Sequence, residues 1–196
     1  MADSQTIDVY NTRTDQYRDM VAAIGVPAGL KKFIAAVPAG GRVLDFGCGV
    51  GNCAAVMIEH GLETECLDAS AEMVKIAADL YGISVRHASF SALDAIDYFD
   101  GIWVNFSLLH APKPDLLAHL AAIHRALQAG GVFFIALKIG DGEERDAFGR
   151  FYAYYQPAEL VGMVERAGFT IGETIGGVDK GLAGTMSEWI GLLCHK

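Results

Sequence analysis

An α/β fold with a doubly wound, mostly parallel sheet of seven strands is the architecture that this 196-residue sequence predicts. Three features carry the prediction. Short apolar runs alternate with segments bearing one apolar helical stripe, the rhythm of a parallel sheet covered by helices on both faces. The first run ends in three glycines at alternate positions and passes directly into a helical segment. The last two β-like runs follow each other with no helix between them, so that pair is expected to be antiparallel.

Ahead of the sheet, residues 8–23 and 27–37 read as two helices that the alternation does not require. Residues 1–38 are therefore assigned to an N-terminal helical cap, with the first several residues frayed. The core, residues 40–137, holds five short apolar strands of the buried parallel kind: "RVLDF" (42–46), "ETECLD" (63–68), "ISVRHA" (83–88), "FDGIWVNF" (99–106) and "GVFFIAL" (131–137). Between them, Met73, Ile76, Ala77 and Leu80 form one helical stripe, and Leu116, Leu120, Ile123 and Leu127 another. The second helix enters through "PKPD" and leaves through "AGG".

Residues 138–156 are polar, punctuated by glycine and then dense in aromatics, which reads as an insertion over a site rather than a core element. Residues 157–196 close the chain with a helix presenting Leu160, Met163, Val164 and Ala167. The runs "FTIGETIG" and "SEWIGLLC" follow, joined by a loop "GVDKGLAGTM". The length suits one domain spanning 1–196 and is short for two.

With 52% hydrophobic and 20% charged residues the chain is expected to fold rather than stay disordered. A net charge of −9, with no Lys or Arg cluster beyond Lys31 and Lys32, argues against a nucleic-acid partner. No signal-peptide pattern opens the chain, and the longest apolar run, "VFFIAL", is too short to cross a bilayer. A cytoplasmic protein without membrane partners, monomeric or homodimeric, is expected. Cys48, Cys53, Cys66 and Cys194 show no zinc spacing, so reduced thiols and no metal are expected.

The stretch "VLDFGCGVGN" (43–52) is the most informative. A strand ending in close glycines before a helix is expected to offer bare backbone N–H groups to an anionic, nucleotide-like ligand. The spacing is G-x-G-x-G. A dinucleotide loop, G-x-G-x-x-G/A, wants a small residue where Asn52 stands. Asp45 at the loop's mouth repels a pyrophosphate but suits an ammonium or sulfonium.

These residues resemble motif I of the class I S-adenosylmethionine-dependent methyltransferases. The similarity extends through "LDAS", "SAEM", "FDGIWVNFSLLHAPKPD", "IHRALQAGGVFFIAL" and "YQPAELVGMVERAGF", roughly residues 40–175. The resemblance implies a Rossmann-like sheet of order 3-2-1-4-5-7-6 with the last strand antiparallel, S-adenosylmethionine as cofactor, and methyl transfer to a small-molecule acceptor. It places Asp45, Gly47, Cys48, Gly49, Asp68, Ala69, Met73, Ser89, Phe90, Asn105 and Phe106 around the cofactor, with Asp68 on the ribose hydroxyls and Met73 on the adenine. The sequence departs from the family in one place: Ser89, followed by Phe90, stands where an acid commonly holds the adenine, unless Asp94 reaches back.

Methyl transfer is an in-line displacement that needs positioning above all, and a base only where the acceptor is protonated. His110 is the candidate base, or else a loop-shaping histidine. Tyr10 and Tyr17, seven residues apart on one helical face, either close over the cofactor or pack on the sheet edge. Arg13 between them is either a partner for the methionine carboxylate or solvated. Lys138, Arg150, Tyr152 and Tyr154 are candidates for the acceptor pocket, against the alternative that the aromatics are core. His60, His119 and His124 read as helix-surface residues and His87 as structural. Two rival functions stay open: a nicotinamide-dependent oxidoreductase, and a non-catalytic binder of the same cofactor.

Overall fold

In the computed structural model, which describes residues 3–196, seven helices and nine strands follow in the order α1 (Ser4–Thr12), α2 (Thr14–Ile24), α3 (Ala28–Ala36), β1 (Arg42–Phe46), α4 (Asn52–Glu59), β2 (Glu63–Asp68), α5 (Ala71–Tyr81), β3 (Val85–His87), β4 (Phe99–Asn105), α6 (Leu116–Ala126), β5 (Leu127–Lys138), β6 (Glu143–Arg145), β7 (Phe151–Ala153), α7 (Pro157–Arg166), β8 (Thr170–Lys180) and β9 (Met186–His195). The main sheet has the order β3-β2-β1-β4-β5-β9-β8. Counting only its own strands, that is 3-2-1-4-5-7-6. β9 runs antiparallel to both its neighbours and the other pairings are parallel.

Alternation along the central strands builds the two faces. Leu44, Phe46, Ile102, Val104, Phe133, Ile135 and Leu137 turn toward α6 and α7, where Leu120, Ile123, Leu160 and Val164 are buried. Val43, Trp103, Val132, Phe134 and Ala136 turn the other way, onto Leu30 and Phe33 of α3, Val37 just after it and Met57 of α4. Trp103 stacks on Phe134 with ring centroids 4.1 Å apart. Burial of each such side chain contributes about 1.5–3 kcal/mol, which holds the strand ends of β1, β4 and β5 in fixed register.

The structure departs from the sequence-based expectations in several places. The stretch expected as one helix over 8–23 is two, broken at Arg13 (φ −121°, ψ 26°). It also begins earlier, because the Asp3 carboxylate caps α1 by accepting from the Thr6 N–H at 2.9 Å. β3 is shorter than expected, and Leu80 of α5 is exposed. β5 begins directly after α6 and carries a register shift opposite Phe99 and Gly101, so "QAGG" is a bulge inside the strand. "GVDK", expected as loop, extends β8 along β9.

Residues 138–156 form a hairpin of β6 and β7, yet Tyr152 and Tyr155 are buried in the main core. The insertion is therefore core on one side and cavity wall on the other. Among the described residues, no helix is long and apolar enough to cross a membrane.

Candidate active site

At the carboxyl ends of β1, β2 and β4 the chain turns three times within a few ångströms. Gly47 and Gly49 take φ values of +86° and +54°, a region that disfavours side chains. A Cβ on Gly47 would collide with Ser107, and one on Gly49 would stand 3.1 Å from the Tyr17 ring. Ser107 fixes this approach by donating to the Phe46 carbonyl at 2.6 Å.

The expectation of bare N–H groups is corrected here. The N–H groups of Gly47 and Cys48 both bond to the Leu67 carbonyl, at 2.8 and 3.1 Å, and Gly51 bonds to Cys48 at 3.0 Å. Gly49 donates to Asp68 Oδ2 at 2.8 Å. The loop thus offers close backbone approach rather than free donors. The free electrostatic groups beside it are acids.

Asp45, at 3% exposure, has an Oδ2 with no partner among the described residues. Burial, then the nearby Asp68 carboxylate, push its acid up to about 8, with the Ala54 N–H opposing. Asp68 is also raised by burial, although the Ser70 and Gly49 N–H groups favour its charged form. Two carboxylates facing one space without a cation leave it electrostatically incomplete.

Two cavities that share lining residues adjoin this loop. The smaller, about 100 Å³, is lined by Gly47, Gly49, Asp68, Met73, Ser89 and Phe90. The larger, about 320 Å³, reaches Asp45 and Cys48 at one end and Lys138, Arg150, Tyr152 and Trp189 at the other. Tyr10, Tyr17, Asn105, Phe106 and His110 line both. Phe106 takes φ +53°, an uncommon backbone state for an aromatic residue, at the junction.

Not every expected residue faces these spaces. Ala69 lines neither; its carbonyl accepts from His87 Nε2 at 3.0 Å. Tyr154 lines neither, packing over Gly140 and stacking on Tyr152. Asp94 is exposed and does not reach back. Arg13 lays its guanidinium 4.0 Å over the Phe148 ring, which ties the cap to the insertion.

His110 is not a free base. Its Nδ1 lies 2.6 Å from the Phe151 carbonyl, which can only accept, so Nδ1 carries the proton. Nε2 then accepts from the Tyr10 hydroxyl at 2.8 Å. The Tyr10 oxygen in turn accepts from Arg150 Nη1 at 3.1 Å, and Arg150 forks onto Asp146 Oδ2 at 2.9 and 2.6 Å. Burial holds the imidazole neutral, its conjugate acid lowered to about 3.

Sequence reasoning did not single out Asn11, Ser70 or Asp146, and it read His119 as a helix-surface residue, whereas His119 lines the smaller cavity and meets the Phe90 ring edge to face at 5.8 Å. Asn11 Oδ1 accepts from Ser70 Oγ at 2.7 Å, which docks α1 on the start of α5. Ser70 caps α5 through the Met73 N–H. The order "DASAEM" held a readable cap signal, a serine three residues before Met73. Asn11 meets Ser70 across 59 residues, which no local pattern announces, whereas Asp146 pairs with Arg150 only four residues on.

A sheet of this order, with a glycine loop after β1, an acid ending β2 and a cavity across the strand ends, defines the class I S-adenosylmethionine-dependent methyltransferase fold. Residues 43–131 match the family described as a methyltransferase domain. A ubiquinone biosynthesis O-methyltransferase of Xanthomonas oryzae pv. oryzae is 31% identical over 106 residues, 50% of this chain and 43% of that one. The methyltransferase GfsG of Streptomyces halstedii is 36% identical over 110 residues, 51% of this chain and 38% of that one. The chain thus aligns with less than half the length of these curated relatives.

Among solved structures, the 1,6-didemethyltoxoflavin-N1-methyltransferase of Burkholderia thailandensis, crystallised with 1,6-didemethyltoxoflavin and S-adenosylhomocysteine, has a TM-score of 0.76 at 23% identity, covering 98% of this chain and 88% of that one. That likeness is one of fold. Residues 43–131 thus resemble a methyltransferase domain, and the chain as a whole has the fold of the S-adenosylmethionine-dependent methyltransferases.

Proposed function

We propose that the protein binds S-adenosylmethionine across the two cavities and transfers its methyl group to a small-molecule acceptor held at the Lys138 end. The observation that carries the reading is the buried, unpartnered Asp45 Oδ2 at the glycine loop. An orphaned carboxylate is costly alone and favourable beside an ammonium, which the methionine portion of the cofactor provides.

The other residues fit the same group. Asp68 has lone pairs left after its two backbone bonds and faces the smaller cavity, where it would take the ribose hydroxyls. Met73 and Phe90 would flank the adenine, and the Ser89 hydroxyl, 2.9 Å from Ser91 Oγ, would meet its polar edge. Gly47 and Gly49 keep side chains out of the path, and Cys48, Asn105 and Phe106 would line the methionine side.

When bound, S-adenosylmethionine would supply a methyl group on a sulfonium sulfur, open to in-line displacement by an acceptor lone pair with the bonding pair left on sulfur. The chain's own contribution is to orient both partners and exclude water. Tyr10 and Tyr17, edge to face at 5.4 Å, would cover the junction as a lid wall. His110 acts as a positioning residue that holds Tyr10. Tyr152 and Arg150 would form the far wall of the acceptor site.

The printed names of the Xanthomonas and Streptomyces relatives are those of methyltransferases, and the Burkholderia protein binds a small molecule beside S-adenosylhomocysteine. These support a small-molecule acceptor here. The acidic charge supports the absence of a nucleic-acid partner. Four free buried cysteines support a reducing, cytoplasmic setting, with the protein acting as monomer or homodimer.

Calorimetric titration tests the cofactor reading. S-adenosylhomocysteine should bind at micromolar levels and NADH should give no heat; the reverse result would establish the oxidoreductase reading instead. Purified protein that binds the cofactor but methylates nothing across a broad metabolite extract would favour a non-catalytic binder.

A further inference from the structure

We infer that the acceptor is a small planar molecule carrying an anionic group, anchored by Lys138 in the larger cavity. The inference rests on the proposed function and names the substrate class for that same site.

Lys138 ends β5 at the carboxyl edge of the sheet and is half-buried. Its ammonium stands 4.4 Å from the centroid of the Tyr152 ring. Among the described residues it has no ion-pair partner, whereas Arg150 holds Asp146, Arg145 holds Asp3 and Lys113 holds Glu159.

The charged groups around Lys138 do not neutralise it. Arg150 adds positive charge, Asp146 is engaged by Arg150, and Glu144 acts only from a distance. Asp179 and Lys180 of β8 reach the same cavity but are exposed at its rim. Burial and Arg150 both disfavour the charged ammonium, so an anion brought beside it gains what the protein does not supply. The acceptor end is therefore one negative charge short.

The walls define the rest of the guest. Phe106 and Trp189 meet edge to face with centroids 5.7 Å apart, and Met20, Val21 and Ile24 of α2 also line the cavity. Flat aromatic walls favour a flat guest. The whole cavity, about 320 Å³, also includes the Asp45 end. That total is near the lower end of small-molecule sites, roughly 300–1,000 Å³, and leaves room beside the cofactor for one small ring system.

The test uses three probes of matched shape on protein saturated with S-adenosylhomocysteine: phenylacetate, phenylacetamide and phenethylamine. Calorimetry should rank them anion, neutral, cation, with phenylacetate favoured over the amide roughly tenfold or more. Lys138→Met should erase that preference and Lys138→Arg should keep it. Equal or reversed ranking on the unaltered protein overturns the inference whether or not the variants fold, as does absence of phenylacetate binding. So does a preference that survives in folded K138M. Failure of S-adenosylhomocysteine to bind at all would instead overturn the cofactor reading on which this rests.

Discussion

The Tyr10 hydroxyl donates to His110 Nε2 at 2.8 Å, across 100 residues of sequence. Because the Phe151 carbonyl claims the other ring nitrogen, the histidine sits as a neutral acceptor that pins α1 over the strand ends. Tyr10→Phe removes the donor and leaves Nε2 unpaired and Arg150 short of one acceptor. The expected loss is about 1–3 kcal/mol of unfolding free energy, read from denaturant midpoints at unchanged slope. An unshifted midpoint would show that the bond adds nothing.

The same histidine contributes to acid sensitivity. Its folded-state acid lies near 3, below the usual 6.5, so the unfolded chain binds the proton more readily. Its stabilising contribution is complete above about pH 6.5 and declines as pH falls toward 3. His110→Gln, which keeps an acceptor and a donor, should flatten that decline between pH 6.5 and 3 in thermal-unfolding scans. A variant that loses stability with acid as steeply as the parent would refute the assignment.

Asp45 links cofactor binding to pH over a higher range. Empty, its acid lies near 8 and is mostly protonated at neutrality; beside an ammonium it would ionise. Affinity for S-adenosylhomocysteine should therefore rise as pH is raised from 6 to 8, with a proton released on binding near pH 7. Titration in two buffers of different ionisation enthalpy measures that proton. Asp45→Asn should abolish the release and weaken binding.

Asp68 is a cofactor candidate and also a structural tie, since it accepts from Gly49 and Ser70. Asp68→Ala should weaken S-adenosylhomocysteine binding by about 1–3 kcal/mol through lost charge-assisted bonds. Unchanged affinity by calorimetry would count against the ribose role.

Gly47→Ala places a Cβ against Ser107 at a backbone angle that L-residues rarely adopt. A cost of about 1–3 kcal/mol is expected, together with loss of cofactor binding, both measurable by thermal shift with and without S-adenosylhomocysteine. A variant that binds normally would show that the loop has room to spare.

The local chemistry of the chain determined the sheet and its glycine loop. Period-two alternation in β1, β4 and β5 and helical stripes in α6 and α7 specify which residues turn inward, because burial acts on each element's own pattern. The G-x-G-x-G spacing, with Asn52 where a dinucleotide loop wants a small residue, pointed to the loop's class for the same reason, since neighbouring backbone torsions are set by neighbouring residues. Tertiary structure alone decided that the loop N–H groups are taken by Leu67 and Asp68, that Arg13 breaks the cap into two helices, and that His110 is an occupied acceptor rather than a base. It also decided that Lys138 is left without an anion while Arg150 is not. The hydrogen bonds from Gly49 to Asp68, His110 to Phe151 and Tyr10 to His110 join residues 19 to 100 positions apart; they depend on where the packed elements meet, and no local spacing in the sequence encodes that meeting.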